Sequence, residues 1–443
     1  MSPITILSAG YLTVAVSLSF GLMLVNALRL HLHRLEKLVL AFIVGSAVLS
    51  NVVFLTAALG EARKSVFLLI GALSFVGCIL SRRFAAPPLR ENPLPMDWKL
   101  LYVALVAGFS WYYVSNAMAP EMSADAIYYH LAEVAHYNRA HGFSGTRPGF
   151  YSTLPQGLEM LFLFAFSVGR HSAAALVHLA FLYALTFAML CYGRRQGMPL
   201  AGLSGSLLMF AAPVFGVTSV IAYVDTGLAC VVFAAFYLLR IWADTSDRRV
   251  LALAGFTAGF AFAVKYTGGL ALLLGARHDR VPAERAAPQG PGMLRGVLIV
   301  CCDSYDSVAG EERGHRGNPV APFFNTVFPN PYITVELENE WRQGQSHMNG
   351  LTLREMPLEL TIKGYRAQGL FGWVFLLAPV ALLTLKKTEG RYLLFASVLL
   401  AVAILGNKGA RFLCRPSPSW PWPWGSRFRG CPRSPPRSWS HTR

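Results

Sequence analysis

The segment EMSADAIYYHLAEVAHYN, residues 121–138, crowds carboxylates, tyrosines and histidines into a chain that is 54% hydrophobic and only 14% charged. Asp125 is the residue there that could take a proton from an attacking hydroxyl or orient it, the work of a general base within hydrogen-bond reach. Drawn as a helix to about Arg139, the segment sets His130, Glu133 and Tyr137 on one stripe, at i, i+3 and i+7. Ile127, Leu131 and Val134 fall on a second, apolar stripe, so the helix can lie on a bilayer surface and still aim polar groups into a cavity. Ser123 or Asp125 also stands where a helix N-cap belongs, its side-chain oxygen accepting from an orphan N–H. For Asp125 the pattern leaves capping and chemistry as equal readings.

Four more polar positions interrupt the apolar sequence. They are Asp225 in AYVDTGL, Lys265 in GFAFAVKYTGG, Asn318 in the GNPVAPFFN turn at 317–325, and Arg411 in NKGARF at 407–412. Ionisable groups at membrane depth are costly and serve a pathway, a pair or a site. Each has a plainer role open to it as well. Lys265 can snorkel from a helix end to the lipid headgroups, Asp225 can cap a helix, and Arg411 can be a surface charge.

The elements that must position these residues are membrane spans. Apolar residues come in blocks rather than in short stripes, the mark of a polytopic membrane protein. A spanning helix needs about 20 mostly apolar residues. Windows of this kind recur near 4–28, 38–59, 65–81, 98–117, 172–192, 198–219, 224–242, 250–264, 267–275, 291–302, 367–385 and 391–406. The first has no basic residues ahead of it and is followed by Arg29, Arg34 and Lys37, so it is expected as a span with its N-terminus outside, not as a cleaved signal.

Lys and Arg near helix ends prefer the cytoplasmic side. With RLHLHRLEK placed inside, counting spans puts SRRF, GRRQ, SDRR, RHDR and LKKTEGR inside too, and the five polar features together on the outer face. This holds if PQGLEMLFLFAFSVG, 155–169, does not cross; it is expected to lie along the outer membrane surface, interrupted by Glu159 and closed by Gly169 and Arg170. The net charge of +16 is largely these clusters and an Arg-rich tail, so membrane lipid and not nucleic acid is the expected partner. The seven cysteines show no metal-ligand spacing and no disulfide framework.

DAIYYHLAEVAHYNRAHGF followed by YSTLPQGLEMLF resembles the first large periplasmic loop of the GT-C superfamily of membrane glycosyltransferases, the group related to protein mannosyltransferases (family 39) and to the aminoarabinose transferase of lipid A. GFTAGFAFAVKYTGG is similar to that family's Gly-rich helix ending in a lysine, and GNPVAPFFN to its outer Asn-Pro turn. The resemblance runs over about 98–412. It implies transfer of a sugar from a polyprenyl-phosphate carrier on the outer leaflet to an acceptor hydroxyl or amine of unknown class. Asp125 then matches the first-loop acidic residue, as general base or acceptor-orienting group. Lys265 and Arg411 are the cations for the departing phosphate, where donors act strongly because water is excluded. His130, Tyr129 and Glu159 would line the sugar or acceptor pocket, Asp225 would orient a substrate or a metal ion, and Asn318, in the outer turn, would contact substrate. No pattern demands a cofactor; a divalent metal is left open.

The expectation is an all-α, polytopic transmembrane protein of an inner membrane with its active site facing the periplasm or exterior, a GT-C-like core of about twelve helices and a helical first periplasmic loop. N-terminal spans fill 1–97, the core 98–275 with its loop at 118–171, and the outer loop with C-terminal helices 317–413. Two stretches break the pattern: the polar run at 276–316 and the Pro/Trp/Arg/Ser-dense tail at 414–443, which no membrane helix would carry. Both are expected to be reading-frame lesions, because GC-rich codons for LCRPSPSWPWPWG can spell an apolar span in another frame; the alternative is a real loop and a disordered tail. The rival functions are a transporter or flippase of lipid-linked substrate, for which an inverted repeat would speak, and a non-catalytic glycan-assembly protein.

Overall fold

The computed structural model describes residues 2–89, 93–145, 149–276, 318, 320–329, 332–347, 351–352, 354–367 and 369–405. Arg411, most of the polar run at 276–316 and the tail at 414–443 lie outside the described residues. The described residues form helices and turns, with no strand among them.

The first two spans show why the bundle closes. α1 (Pro3–Ala27) begins with Pro3 in its first turn and Ser2 Oγ accepting from the Thr5 N–H. α2 (Arg34–Ala58) begins with the Glu36 carboxylate accepting the His33 N–H at 2.9 Å. They run antiparallel and nearly touch at two glycines: a Cβ on Gly21 would sit 1.7 Å from Ala41 O, and one on Gly45 1.8 Å from Ser17 O. In lipid there is no hydrophobic gain from joining two apolar helices, so close backbone approach at small residues supplies the contact energy.

α3 (Lys64–Ser81) and α4 (Met96–Ala117) turn large apolar side chains outward, Leu69, Leu73, Leu80, Val103 and Trp111 among them. Such a surface is an aggregation hazard in water and is solvated in a bilayer. Six described helices are long and apolar enough to cross a membrane, or seven if α7 (Pro199–Ala211) and α8 (Pro213–Ser219), bent by 61°, form one span. The chain is thus a multi-pass helical membrane protein, and among the described residues the expected count of about twelve is not reached. The windows at 250–264 and 391–406 form α10 (Arg248–Val264) and α12 (Thr388–Leu405). Those at 267–275 and 367–385 wind as tight 3-10 helix, Tyr266–Ala276 and Trp373–Lys386, and 291–302 lies outside the described residues.

α6 (Gly157–Arg195) corrects the expectation for 155–169. A straight helix of its 39 residues would be about 58 Å long, nearly twice the hydrocarbon thickness. It breaks at Arg170 (φ 63°, ψ −156°). The part before the break is buried, not laid on the surface: residues 158–166 are all buried, with Phe164 against Phe67 and Phe162 against His178. Its apolar residues surround the axis, and a helix that is hydrophobic all round belongs inside. Both its ends stay at one end of the bundle. Ser50 Oγ donates to Gly157 O, and Gly169 packs on Thr5 and Ala9. The segment is thus packed inside the bundle with both ends toward the same end of α1 and α2.

The two ends of the bundle differ in chemistry. At one, Arg195 grips Glu36, Arg249 donates to Leu28 O, Asn26 donates to Ser81 and Arg240 pairs with Glu389, which brings the RLHLHRLEK, SRRF, GRRQ, SDRR and LKKTEGR clusters together. RHDR lies outside the described residues. At the other end stand the start of α9 (Asp225–Thr245), the end of α10 and the 121–138 segment. A cleft of about 550 Å³ between α1, α2, α4 and α6 has an apolar lining that includes Leu7, Tyr11, Phe42 and Tyr183, and none of the predicted site residues lines it.

Candidate functional site

The loop entering the first predicted segment is clamped at its base. Glu121 accepts the Ser123 N–H at 2.8 Å through Oε1 and the Ala222 N–H at 2.9 Å through Oε2. The Ser123 hydroxyl is hydrogen-bonded to the Tyr223 hydroxyl. These contacts fix residues 121–123 against the loop before α9.

Asp125 follows in the first helical turn, half-buried. The chain then winds through a wide π turn, Ala126–His130, closed by Leu131 N–H donating to Ala126 O, before α5 (Leu131–Ala140). Single π turns inside helices are frequent at functional sites because they re-aim the residues that follow. Here the turn splits the predicted apolar stripe: Leu131 and Val134 are buried while Ile127 is 50% exposed. It also buries His130. Tyr137, on the predicted polar stripe, is an anchor whose hydroxyl donates to Gln156 Oε1 at 2.8 Å.

His130 and Glu159 meet at 2.6 Å, Nδ1 to Oε1, each about 5% exposed. Glu159 reaches this place because α6 starts tightly: a Cβ on Gly157 would lie 2.8 Å from Ala263 O at the end of α10. Oε2 of Glu159 is buried with no hydrogen-bond partner among the described residues. The imidazole lies 4.0 Å, centroid to centroid, from Tyr129, which stacks on Tyr151 at 4.7 Å, and 5.9 Å from Tyr223. The fully buried His178 of α6 packs behind, Nδ1 on Ile221 O and Nε2 accepting the Gly227 N–H.

Asp225 and Lys265, predicted as separate ligands of substrate and phosphate, are partners: Nζ to Oδ1 is 2.8 Å. Asp225 opens α9 and Lys265 follows the last turn of the antiparallel α10, so the two helix ends set the pair. Lys265 is drawn inward onto a carboxylate instead of out to headgroups, and an ammonium has three donors to offer. The Tyr266 hydroxyl donates to Ala321 O at 2.8 Å and docks the Asn-Pro turn beside the pair.

Asn318 is committed within that turn. Its Nδ2 donates to Phe323 O at 2.8 Å and to Asn325 Oδ1 at 3.1 Å, and its Oδ1 accepts the Val320 N–H. Asn318 thereby holds the turn's own shape. Phe323 meets Trp341 of α11 (Val335–His347), whose ring stacks on Phe150 at 5.0 Å, so aromatic rings wall this end.

Asp125, Tyr129, His130, Glu159, Asp225 and Lys265 thus share one end of the bundle, and Arg411 falls outside the described residues. Among the described residues no group of three His, Cys, Asp or Glu side chains is arranged to hold a metal ion. Sequence reasoning missed Glu121, Tyr223 and His178. His178 sits in an otherwise apolar run, and that single break in hydropathy was its only signal. Comparison with protein-family models, with curated proteins and with solved structures finds nothing that matches this chain.

Proposed function

We propose that the chain is a membrane glycosyltransferase that moves a sugar from a polyprenyl-phosphate carrier to an acceptor hydroxyl or amine on the extracytoplasmic side of an inner membrane. The observation that carries it is the gathering of Asp125, the His130–Glu159 pair and the Asp225–Lys265 pair at the end of the bundle opposite the basic clusters. Basic loops face the cytoplasm, so this gathering faces outward, where lipid-linked sugars are spent. The chemistry asks for these groups. A carboxylate, Asp125, holds the acceptor hydroxyl. A cation, Lys265, meets the phosphate oxygens as they take up charge, in a site where water is scarce. The stacked rings of Tyr129 and Tyr151 offer flat apolar faces to a sugar. The resemblance of the same segments to GT-C loops agrees with this reading.

The test is transfer of labelled sugar from extracted polyprenyl-phosphate donors to a membrane acceptor pool by the full chain and by Asp125→Asn. The expected result is transfer by the parent and a loss of about a hundredfold or more in the variant, the scale of misplacing a reacting group. Equal transfer by both would remove Asp125 from the chemistry, and none by the parent would overturn the proposal.

A further inference from the structure

Two acidic groups and one imidazole compete for the proton of the acceptor, and their surroundings differ. Asp125 is half-buried in the first turn of its helix. Glu159 spends Oε1 on His130 Nδ1 at 2.6 Å. His130 is held on one nitrogen only: Nε2 makes no hydrogen bond among the described residues, and it is not one of the sealed-off polar atoms. A carboxylate on Nδ1 fixes the ring, selects the tautomer that carries its proton on Nδ1, and leaves the Nε2 lone pair facing away from the carboxylate. The same carboxylate stabilises the imidazolium once Nε2 has taken a proton.

We infer that His130 Nε2 is the group that accepts the acceptor's proton, with Glu159 as its positioning residue and Asp125 as the residue that orients the acceptor. This rests on the transferase proposal above. In the step, the acceptor oxygen bonds to the anomeric carbon. The bond from that carbon to the carrier phosphate breaks, its electron pair leaving with the phosphate. The acceptor's proton passes to Nε2 and then to the released phosphate or to water.

The packing supports a fixed base. The π turn that ends at His130 turns its ring inward, and Tyr129 and Tyr223 bracket it. The ionisable groups on the elements around it include Glu159 and His178 of α6, Tyr223 and Glu121 at the loop before α9, and Asp125, Tyr128, Tyr129, Glu133 and Tyr137 on its own helix. The buried His178 lies between the His130 side and the Asp225 side of this end. Among the described residues Glu159 Oε2 is buried without a hydrogen-bond partner, so His130 is the carboxylate's one polar contact.

The test combines transfer kinetics with deuterium exchange at the His130 ring carbon, read by mass spectrometry, which reports imidazole titration whether or not the chain is active. His130→Gln is expected to lower kcat by about a hundredfold or more, with KM little changed, and to abolish the acid limb of the kcat/KM pH profile. Glu159→Gln is expected to lower kcat less and to move the acid limb and the ring titration to lower pH together, because the imidazolium loses its counter-charge. Thermal unfolding in detergent checks that both variants remain folded; His130→Asn is a second replacement. An acid limb that survives in His130→Gln and vanishes in Asp125→Asn would overturn the inference and leave the transferase intact. A parent that transfers nothing, while ring titration still follows Glu159, would overturn the transferase and the base assignment with it, leaving only a coupled pair.

Discussion

Glu36 and Glu159 are buried to nearly the same degree at opposite ends of the bundle, and they are used in opposite ways. Glu36 has both oxygens engaged: Arg195 Nη1 lies 3.0 Å from Oε1 and 2.9 Å from Oε2, Tyr237 donates its hydroxyl to Oε1, and the His33 N–H donates to Oε2. Among the described residues Glu159 has one partner, an imidazole, and one idle oxygen. A saturated carboxylate joins α2, α6 and α9 and has nothing left to give. An unsaturated one beside a titratable ring keeps capacity for a proton or a ligand. Buried polar groups are normally satisfied, and one that is not calls for an explanation such as a catalytic role. The basic end is thus built as a clasp, and the other end keeps the spare capacity that the proposed transferase would use.

Removing Glu36 should produce the largest loss of stability. Glu36→Ala leaves Arg195 as a nearly buried cation with no carboxylate, at a cost of about 3–5 kcal/mol. It is read as a lowered unfolding midpoint in detergent. Replacing Glu36 and Arg195 together by leucine and methionine should restore most of it, since an apolar pair of similar volume is often no worse than a buried ion pair. Glu159→Gln, which can still hydrogen-bond to His130, should stay within about 1 kcal/mol of the parent. Equal losses at the two glutamates would dissolve the distinction between clasp and site.

The Asp225–Lys265 pair lies between these extremes, with side chains 10% and 28% exposed. Lys265→Met should cost about 1.5–3 kcal/mol, the range of a hydrogen bond to a charged group, and should abolish phosphate-dependent binding of a polyprenyl-phosphate donor. A double-mutant cycle with Asp225→Asn measures the coupling between the two directly. Coupling near zero would mean that the helix ends, and not the ion pair, hold α9 against α10.

The sequence made the spans legible because each needs a long apolar run, and it made the two ends legible because basic clusters alternate with that rhythm. It did not make the partnerships legible. Lys265 and Asp225 are separated by α9 and α10, and only the antiparallel return of those helices brings their ends together. Likewise Glu159 was expected at the membrane surface because the basic clusters stay on one side only if 155–169 does not span. A short helix without a polar face has a second solution, burial inside the bundle, and the break at Arg170 allows it. The π turn at 126–130 was invisible because propensity distinguishes helix from strand and not one helical pitch from another. The Asn-Pro turn was placed at the site by its resemblance to a family motif, and the sequence did not show that the Asn318 side chain bonds within the turn.

That turn also gives the smallest of the expected effects and the most direct test of scaffold against site. Glu338, buried on α11, accepts from the Asn325 and Phe324 N–H groups, from Asn325 Nδ2 and from Arg342. Burial pushes its carboxyl up, but the hydrogen bonds from Asn325, Arg342 and Phe324 outweigh it and hold the group below its ordinary value of 4.5. A depressed carboxylate contributes stability that is present above the unfolded value and is lost as pH falls through the folded one. The turn should therefore hold at neutral pH and loosen only below 4.5. Hydrogen exchange at the Phe324 and Asn325 amides, corrected for intrinsic rate, should show protection falling in that acid range. In Glu338→Gln the acid-dependent fall should vanish, at a constant cost of about 1 kcal/mol at all pH values. Protection lost first near pH 6 to 7 instead would place a histidine in control, and would move the turn from the scaffold to the titrating machinery around His130.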